Sequence, residues 1–254
     1  MLYGRFIQTT GNFPGPKVIK PKGEKIKMEA IQFQKPETVD EAVKLLQNAD
    51  GDARILAGGT DLLVQLRAHM IDPGVIIDIK SIEETRTLTK NGDGSYTIGS
   101  AVAGAEAHER DDITADWPGV VEAWDLIGST QIQGRASLGG NLCNASPAGD
   151  SVPAMVAAGM TANIAGPDGR RSIPVEEVTV GPGKTSLKKG EFVVSFNLPA
   201  RPAKGGDAYL RLIPRTEMDI AVVGCGAALT LDDSGTVTSA KISLGAVAAT
   251  VLVV

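Results

Sequence analysis

Apolar and polar residues follow helical and then strand-like spacing in the first third of the chain. Residues 39–46 place apolar side chains at helical intervals after a Thr38–Glu41 capping box, which predicts an amphipathic helix. Residues 54–57 and 75–79 are short apolar segments typical of buried strands. A helix between them is predicted to bury Leu62, Leu63, Leu66 and Met70. This order of elements predicts a small α/β unit over residues 28–80.

A second mixed unit is predicted to follow the first. Residues 96–99 and 191–198 have the composition of strands, and residues 118–127 have apolar positions at helical spacing. Ser151 is a candidate helix cap, with Pro153 in the first turn. The sequence Gly166-Pro167-Asp168-Gly169 predicts a hairpin turn. Residues 81–200 are therefore expected to combine helices with a sheet.

The last fifth of the chain has the pattern of a small sheet. Residues 199–206 resemble a linker in composition, and strand-like runs follow at 208–213, 219–231 and 237–244. The sequence ends in the apolar run 251–254, without a closing polar segment. We therefore expect a C-terminal domain over residues 207–254 that is incomplete.

Composition and charge limit the possible partners. Hydrophobic residues make up 43% and charged residues 22% of the chain, as in ordinary globular proteins. The net charge of −5 gives no support for a nucleic-acid partner. No run approaches the roughly 20 apolar residues of a membrane span, so a cytoplasmic protein is expected. Residues 1–27 are basic and proline-containing, and are predicted to be a disordered extension.

The cysteines and histidines do not form a recognisable metal or catalytic set. The chain has 2 cysteines, Cys143 and Cys225, and 2 histidines, His69 and His108, all far apart in sequence. This number cannot supply a zinc or iron–sulfur ligand set. No pairing of a nucleophile with a histidine emerges either. We therefore expect neither a metal site nor a catalytic side chain in this chain.

The sequence Gly58-Gly59-Thr60-Asp61 joins a predicted strand to a predicted helix. Glycine allows close approach of a ligand to the backbone, and backbone N–H groups at such a turn can bind an anion without lysine. An ordinary strand-to-helix turn, with Thr60 or Asp61 as the helix cap, explains the same residues equally well. This motif alone leaves both interpretations open.

A second glycine pair lies about 80 residues further along, in Ser137-Leu138-Gly139-Gly140-Asn141. Small polar residues continue after it, at Asn144, Ser146 and Asp150. A plain polar loop explains the composition but not the concentration of small residues. Two such turns predict a long ligand held from both sides, and a dinucleotide diphosphate fits this description. Gly224-Cys225-Gly226 lies in a strand-like segment and lacks the third glycine of a dinucleotide fingerprint.

At these two motifs the chain resembles the FAD-binding medium subunit of the molybdenum hydroxylases, which include the carbon monoxide dehydrogenase and xanthine dehydrogenase families. The resemblance is carried by Ala57-Gly58-Gly59-Thr60-Asp61 and Leu138-Gly139-Gly140-Asn141 together, and is strengthened by the segment 144–153. It extends from about Met28 to Gly245. It implies an α+β fold with α/β-type subdomains: a two-subdomain FAD-binding domain of the vanillyl-alcohol-oxidase/PCMH type at 28–200 (subdomains about 28–80 and 81–200), followed by a small, apparently truncated α/β C-terminal domain.

The resemblance also implies a set of FAD-binding residues. Arg211 is placed where many relatives have a lysine near the flavin ring, and Ile220 where some have a tyrosine. Phe192, Val193 or Val194 would lie near the adenine. The implied cofactor-binding residues are Ile55, Leu56, Ala57, Gly58, Gly59, Thr60, Asp61, Leu62, Ser100, Ala101, Ser137, Gly139, Gly140, Asn141, Asn144, Asp150, Val193 and Arg211.

In the family, substrate is oxidised in a molybdopterin-containing large subunit. Electrons pass through the [2Fe–2S] clusters of a small subunit to FAD, and then to an external acceptor. The resemblance implies this role for the chain, with Arg211, Ser137 and Asn141 as candidate hydrogen-bond donors to the flavin. Two alternatives stay open at this point: a stand-alone FAD-dependent oxidase, and a nucleotide-binding assembly module without a redox role. Scarce tyrosine and histidine make the substrate pocket of an oxidase hard to populate.

Overall fold

A small parallel sheet opens the computed structural model, which describes residues 31–254. Its strands are β1 (Gln32–Gln34), β2 (Ala53–Leu56) and β3 (Val75–Asp78), with β3 in the centre. Helix α1 (Val39–Asn48) connects β1 to β2, and helix α2 (Leu62–Arg67) connects β2 to β3. The predicted order of helices and strands is therefore present. The predicted extension at residues 1–27 lies outside the described residues.

Helix α1 forms as the sequence predicts. The Thr38 hydroxyl accepts a hydrogen bond from the backbone N–H of Glu41 at 3.2 Å, which caps the first turn. The Glu41 carboxylate accepts from the backbone N–H of Glu37 rather than that of Thr38, so the capping box closes one residue earlier than expected. The apolar face of α1 is buried against the sheet, as predicted: Val39, Ala42, Val43 and Leu46.

Helix α2 differs from the prediction. It buries none of its residues, and Leu63 and Met70 are 52% and 70% exposed. The helix ends at Arg67, before Met70. Asp61, Leu62 and Gln65 line a cavity, while Leu63 and Val64 between them are exposed.

A five-stranded antiparallel sheet forms the second unit. The strands of this region are β4 (Leu88–Lys90), β5 (Tyr96–Gly99), β6 (Thr161–Gly166), β7 (Gly169–Pro174), β8 (Thr179–Gly181), β9 (Lys184–Thr185) and β10 (Phe192–Leu198). The strand order in the sheet is β4-β5-β10-β6-β7, and the predicted turn 166–169 joins β6 to β7 as a hairpin. A separate two-stranded ribbon pairs β8 with β9.

Short helices pack against this sheet around fully buried aromatic residues. Tyr96, Trp124 and Phe196 are each 0% exposed and form the centre of the main core. Within residues 31–254, no helix has the length and apolar character needed to cross a membrane. The helices are α3 (Glu83–Arg86), α4 (Gly104–His108), α5 (Asp111–Asp116), α6 (Pro118–Asp125), α7 (Thr130–Gln133), α8 (Leu138–Cys143) and α9 (Ser151–Ala157).

A four-stranded antiparallel sheet ends the described chain. Its strands, in spatial order, are β11 (Gly205–Leu212), β12 (Val223–Leu231), β13 (Val237–Gly245) and β14 (Leu252–Val253). One face packs on α9, where a Cβ on Gly226 would lie 2.4 Å from the carbonyl oxygen of Pro153. Gly226 therefore allows α9 and the sheet to pack in direct contact.

Two predicted strand boundaries in this region are wrong. Residues 205 and 206, expected in the linker, belong to β11, because they pair with residues 230 and 229 of β12. Strand β12 begins at Val223 rather than at Asp219. The Asp219 carboxylate accepts from Arg215 and from the backbone N–H of Thr216, which keeps the preceding residues in a loop.

Candidate functional site: a cavity between two glycine segments

A large cavity brings together the two glycine motifs of the sequence. Its volume is about 600 Å³, within the range of about 300–1,000 Å³ that is usual for small-molecule and cofactor sites. All of the predicted cofactor-binding residues line it except Leu56 and Ala101. Ala101 is buried in the core beside β3 and β10, and Leu56 is a half-buried residue of β2.

The first wall is the segment between β2 and α2, which contains Gly58 and Gly59. Gly59 has φ +78°, a conformation that side chains rarely adopt, so glycine is required for this turn. The ammonium group of Lys80 donates to the carbonyl oxygen of Ala57 at 2.9 Å and to Asp78 Oδ1 at 2.7 Å. Lys80 therefore ties the residue that follows β2 to the end of β3.

The second wall is the N-terminal part of α8. Gly139 and Gly140 lie in the first turn of this helix rather than in the expected loop, because the Ser137 hydroxyl accepts from the backbone N–H of Gly140 at 3.1 Å and caps the helix. A Cβ on Gly139 would lie 2.5 Å from the carbonyl oxygen of Ser100. Gly140 is exposed, and a Cβ there would meet only the Ser137 hydroxyl within 4 Å. Gly139 therefore serves packing, while Gly140 leaves space at the cavity surface.

The two walls touch each other directly. A Cβ on Gly58 would lie 2.0 Å from the carbonyl oxygen of Arg135, so the backbones meet closely only because this residue is glycine. A hydrogen bond of 3.1 Å also joins Gln65 Nε2 on α2 to Asn144 Oδ1 at the end of α8. The motifs predicted to hold a ligand from both sides thus form one continuous surface.

Asn141 has a structural role in addition to its place at the cavity. Its Oδ1 accepts from the hydroxyl of Ser151 at 2.8 Å and from the Ser151 backbone N–H at 3.2 Å. These bonds tie α8 to the start of α9. They also turn the carbonyl side of the Asn141 amide toward the protein.

A buried ion pair closes one end of the cavity. Arg211 donates to Asp150 Oδ2 at 3.2 Å, and its side chain is only 5% exposed. The Arg211 guanidinium also donates to the carbonyl oxygens of Leu126 and Glu217, at 2.9 and 2.7 Å. Arg211 therefore connects three separate segments of the cavity wall.

Burial is the main cause of the pKa shifts of Asp150 and Tyr209 at this end of the cavity. Removal from solvent raises the pKa of Asp150 above its ordinary value, although the charge and hydrogen bond of Arg211 act in the opposite direction. Tyr209 donates to Asp150 Oδ1 at 3.2 Å. Burial, together with the neighbouring carboxylate of Asp150, raises the pKa of Tyr209 as well. A free arginine charge is thus not offered to a ligand here, because Asp150 offsets it.

Several residues that line the cavity were not predicted from the sequence. Gln65 is the clearest case, and its position four residues after Asp61 on one helix face could have indicated it. Glu217 and Met218 lie in a loop that only the tertiary fold brings to the cavity, so the sequence gives no local signal for them.

The apolar residues that the resemblance places near the cofactor divide into two groups. Among the three candidates for the adenine end, Phe192 and Val193 line the cavity, while Val194 is buried in the core beside it. Ile220 also lines the cavity and is 79% exposed. Phe192 and Val193 are themselves at most 4% exposed, so they belong to the hydrophobic core as well as to the cavity wall.

Comparison with known families identifies the chain. Residues 28–201 match the model of the FAD-binding domain in molybdopterin dehydrogenase. The chain belongs to this family. Residues 208–254 of this FAD-binding subunit match the C-terminal domain of the carbon monoxide dehydrogenase flavoprotein. The resemblance inferred from the two glycine motifs is therefore confirmed.

Curated relatives of the FAD-binding subunit are oxidoreductase subunits. The xanthine dehydrogenase FAD-binding subunit of Escherichia coli O157:H7 is 33% identical over 219 residues, which cover 86% of this chain and 74% of the relative. The carbon monoxide dehydrogenase medium chain of Hydrogenophaga pseudoflava is 32% identical over 223 residues, covering 87% and 76%. The chain is thus an FAD-binding subunit of the molybdenum hydroxylase family, and its enzyme class is oxidoreductase.

Solved structures agree with the fold of the FAD-binding subunit. Carbon monoxide dehydrogenase from Hydrogenophaga pseudoflava matches with a TM-score of 0.82 and 31% identity, over 88% of this chain and 77% of that chain. Quinoline 2-oxidoreductase from Pseudomonas putida 86 matches with a TM-score of 0.78 and 26% identity, over 87% and 76%. The fold class expected from the resemblance is therefore confirmed.

The described residues fit FAD as the cofactor of the FAD-binding subunit. Ser100 lines the cavity, and its hydroxyl is buried without a hydrogen-bond partner among the residues that the structure describes. A buried hydroxyl without a partner is costly, so a polar ligand group is expected beside it. Gly140 also lines the cavity, and the absence of a side chain there leaves space beside the Ser137 hydroxyl. Both features suit a diphosphate lying along the glycine segments.

Proposed function

We propose that the chain is the electron-transfer subunit of a molybdenum-containing hydroxylase or dehydrogenase. In this proposal it accepts electrons from the [2Fe–2S] clusters of a small partner subunit and passes them to an external acceptor. Substrate oxidation takes place in a molybdopterin-containing large subunit. The proposal is carried by one observation: both glycine segments line the same cavity of about 600 Å³.

The residues of this chain hold and orient the cofactor, which supplies the redox chemistry when bound. Gly59 forms the turn of the first segment, Gly58 lets this segment pack on Arg135, and Gly140 leaves space for the diphosphate. The hydroxyl of Ser100 is available to donate to it, since it has no other partner within residues 31–254. Asp150 and Arg211 form the wall at the far end of the cavity, as a neutralised pair. No general base among these side chains is required.

Retention of FAD by the purified protein tests the proposal. After incubation with FAD and desalting, we expect a flavin absorption spectrum that dithionite bleaches reversibly. Gly140→Leu should abolish retention, because its side chain would enter the cavity. Gly134→Leu is the matched control, since a Cβ there meets nothing within 4 Å and Gly134 does not line the cavity.

Each outcome of this experiment has a meaning. Equal FAD retention by Gly140→Leu and wild type would exclude this cavity as the site. A wild-type protein that is folded by circular dichroism but retains no flavin would contradict the redox role. Turnover of a phenol or sugar by the isolated protein would favour a stand-alone oxidase. Rapid reduction of the bound FAD by a reduced [2Fe–2S] partner subunit would support the proposed position in the electron path.

A further inference from the structure

Gln65 contacts both glycine segments through one side-chain amide. Its Nε2 donates to Asn144 Oδ1 at 3.1 Å and also to Asp61 Oδ2. Asp61 and Gln65 are four residues apart, so they share the cavity-facing side of α2. Asn144 lies at the end of α8, 79 residues further along the chain. The amide therefore links two polar side chains, Asp61 and Asn144, where the two walls meet.

Few other contacts join these walls in the part of the chain that the structure describes. Gly58 meets Arg135 through close backbone packing, without a hydrogen bond between side chains. Among residues 31–254, the bond between Gln65 and Asn144 is the hydrogen bond that directly connects α2 to α8. Both residues are half-buried, so water competes with this bond less than at an open surface. It is therefore a specific polar link between the two walls.

Gln65 also determines where the negative charge of Asp61 lies. Asp61 occupies the N-cap position of α2, but its carboxylate makes no capping hydrogen bond there. It accepts from Gln65 instead. Asp61 lines the cavity, and an unrestrained carboxylate there would repel a diphosphate. The bond from the Gln65 amide holds this carboxylate in one orientation.

We propose that Gln65 is a positioning residue, which clamps the two glycine segments in the geometry that binds FAD and restrains the Asp61 carboxylate. This inference rests on the proposed binding of FAD in the cavity. A site whose walls are already in place avoids the cost of ordering them when the ligand binds. Loss of the clamp therefore weakens FAD binding more than it weakens the fold.

Titration of the FAD-free full chain with FAD, followed by flavin fluorescence, tests the clamp. Gln65→Met keeps the length of the side chain but removes the amide, and we expect Kd to rise between about fivefold and tenfold, equivalent to one net hydrogen bond. Gln47→Met is the matched control, because Gln47 is an exposed residue of helix α1 outside the cavity lining. Its Kd should equal that of wild type. Thermal unfolding of the FAD-free proteins checks that every variant is folded.

A double-mutant cycle with Asn144→Ala separates the clamp from a direct contact between Gln65 and FAD. If Gln65 acts through Asn144, Gln65→Met should change Kd much less in the Asn144→Ala background than in wild type. Fully additive effects would overturn the clamp. Gln65→Glu should weaken binding beyond Gln65→Met, because it puts a second carboxylate beside Asp61.

The results also distinguish this inference from the proposed function. If wild type binds FAD and Gln65→Met binds it equally well, the clamp is wrong while the FAD site stands. If wild type and the control Gln47→Met both fail to bind FAD, the proposed function fails and the clamp fails with it.

Discussion

At the scale of single residues, the site depends on where side chains are absent. Gly58, Gly139 and Gly140 are all part of the two motifs, but they serve different purposes. A Cβ on Gly58 would collide with the backbone of Arg135, and a Cβ on Gly139 would collide with Ser100. A Cβ on Gly140 would enter nearly open space. Gly58 allows the two walls to meet, Gly139 allows α8 to pack on Ser100, and Gly140 gives room to the ligand.

Gly58→Ala is expected to destabilise the protein and weaken FAD binding. The new Cβ would lie 2.0 Å from the Arg135 carbonyl oxygen, which belongs to the backbone and cannot rotate away. Overpacking of this kind costs about 1–3 kcal/mol. Urea unfolding measures the change in stability. Gly92→Ala is the control, because its Cβ would meet nothing within 4 Å; a loss of stability as large as that of Gly58→Ala would contradict the steric explanation.

At the scale of elements, the sequence predicts those features that depend on local patterns. The position and buried face of α1 follow from its cap and its periodicity, and both are present. Helix α2 has equally apolar residues, but its burial depends on a cavity that no local pattern reveals. The glycine pair of α8 was expected in a loop, since glycine disfavours helices. The Ser137 cap and close packing on Ser100 override that preference.

The candidate site shows the same division between local and tertiary information. The motif residues on both walls could be identified because paired glycines beside small polar residues are typical of turns that approach a ligand closely. The spacing of Gln65 from Asp61 indicates a shared helix face, but its hydrogen bond to Asn144 is a tertiary contact that the sequence does not reveal. Glu217 likewise joins the wall through the hydrogen bond that its carbonyl oxygen accepts from Arg211.

Arg211 was expected to donate to the flavin, and its two terminal nitrogens donate to protein acceptors in the structure. Its ring contact stays a prediction.

Helix α6 is held to strand β11 by a buried carboxylate, which makes it sensitive to substitution. Asp207 Oδ2 accepts from the backbone N–H of Val120 at 3.0 Å, and the Asp207 side chain is only 3% exposed. Asp207→Ala would leave that buried N–H without its partner, at a cost of about 1–3 kcal/mol. Asp207→Asn keeps an acceptor oxygen and should cost less. Equal destabilisation of the two variants in urea unfolding would contradict the role of the hydrogen bond.

The same carboxylate predicts a pH dependence with a defined sign. Burial raises the pKa of Asp207, although the Val120 hydrogen bond and the charge of Arg201 oppose the change. Because the pKa is raised in the folded state, protonation of Asp207 stabilises the fold. This contribution is complete below the ordinary pKa of about 3.9 and is lost as pH rises through the folded-state pKa. In urea unfolding at a series of pH values, wild type should therefore gain stability relative to Asp207→Asn as pH is lowered from about 7 toward about 4. A constant difference between the two proteins would contradict the raised pKa.

At the scale of the whole molecule, the sheet β11–β14 has one covered face and one apolar face that is open in the described chain. Its inner face packs on α9 through Gly226. On the other face, Leu210 is 74% exposed. The residues in register with Leu210 across the remaining strands are Cys225, Leu244 and Leu252. An apolar surface of this kind is typical of a surface that binds another protein element.

The open face predicts that the 254-residue protein self-associates and binds the dye ANS while folded. Leu210→Thr and Leu212→Thr keep residues that favour strands but remove apolar area. Each should weaken self-association on the order of tenfold, since a buried leucine contributes about 1.5–3 kcal/mol. Light scattering after size exclusion and ANS fluorescence measure both effects. Val180→Thr is the control, because Val180 is 59% exposed on β8, outside this sheet. If the control reduces association as much as the β11 variants, the sheet face is not the surface responsible.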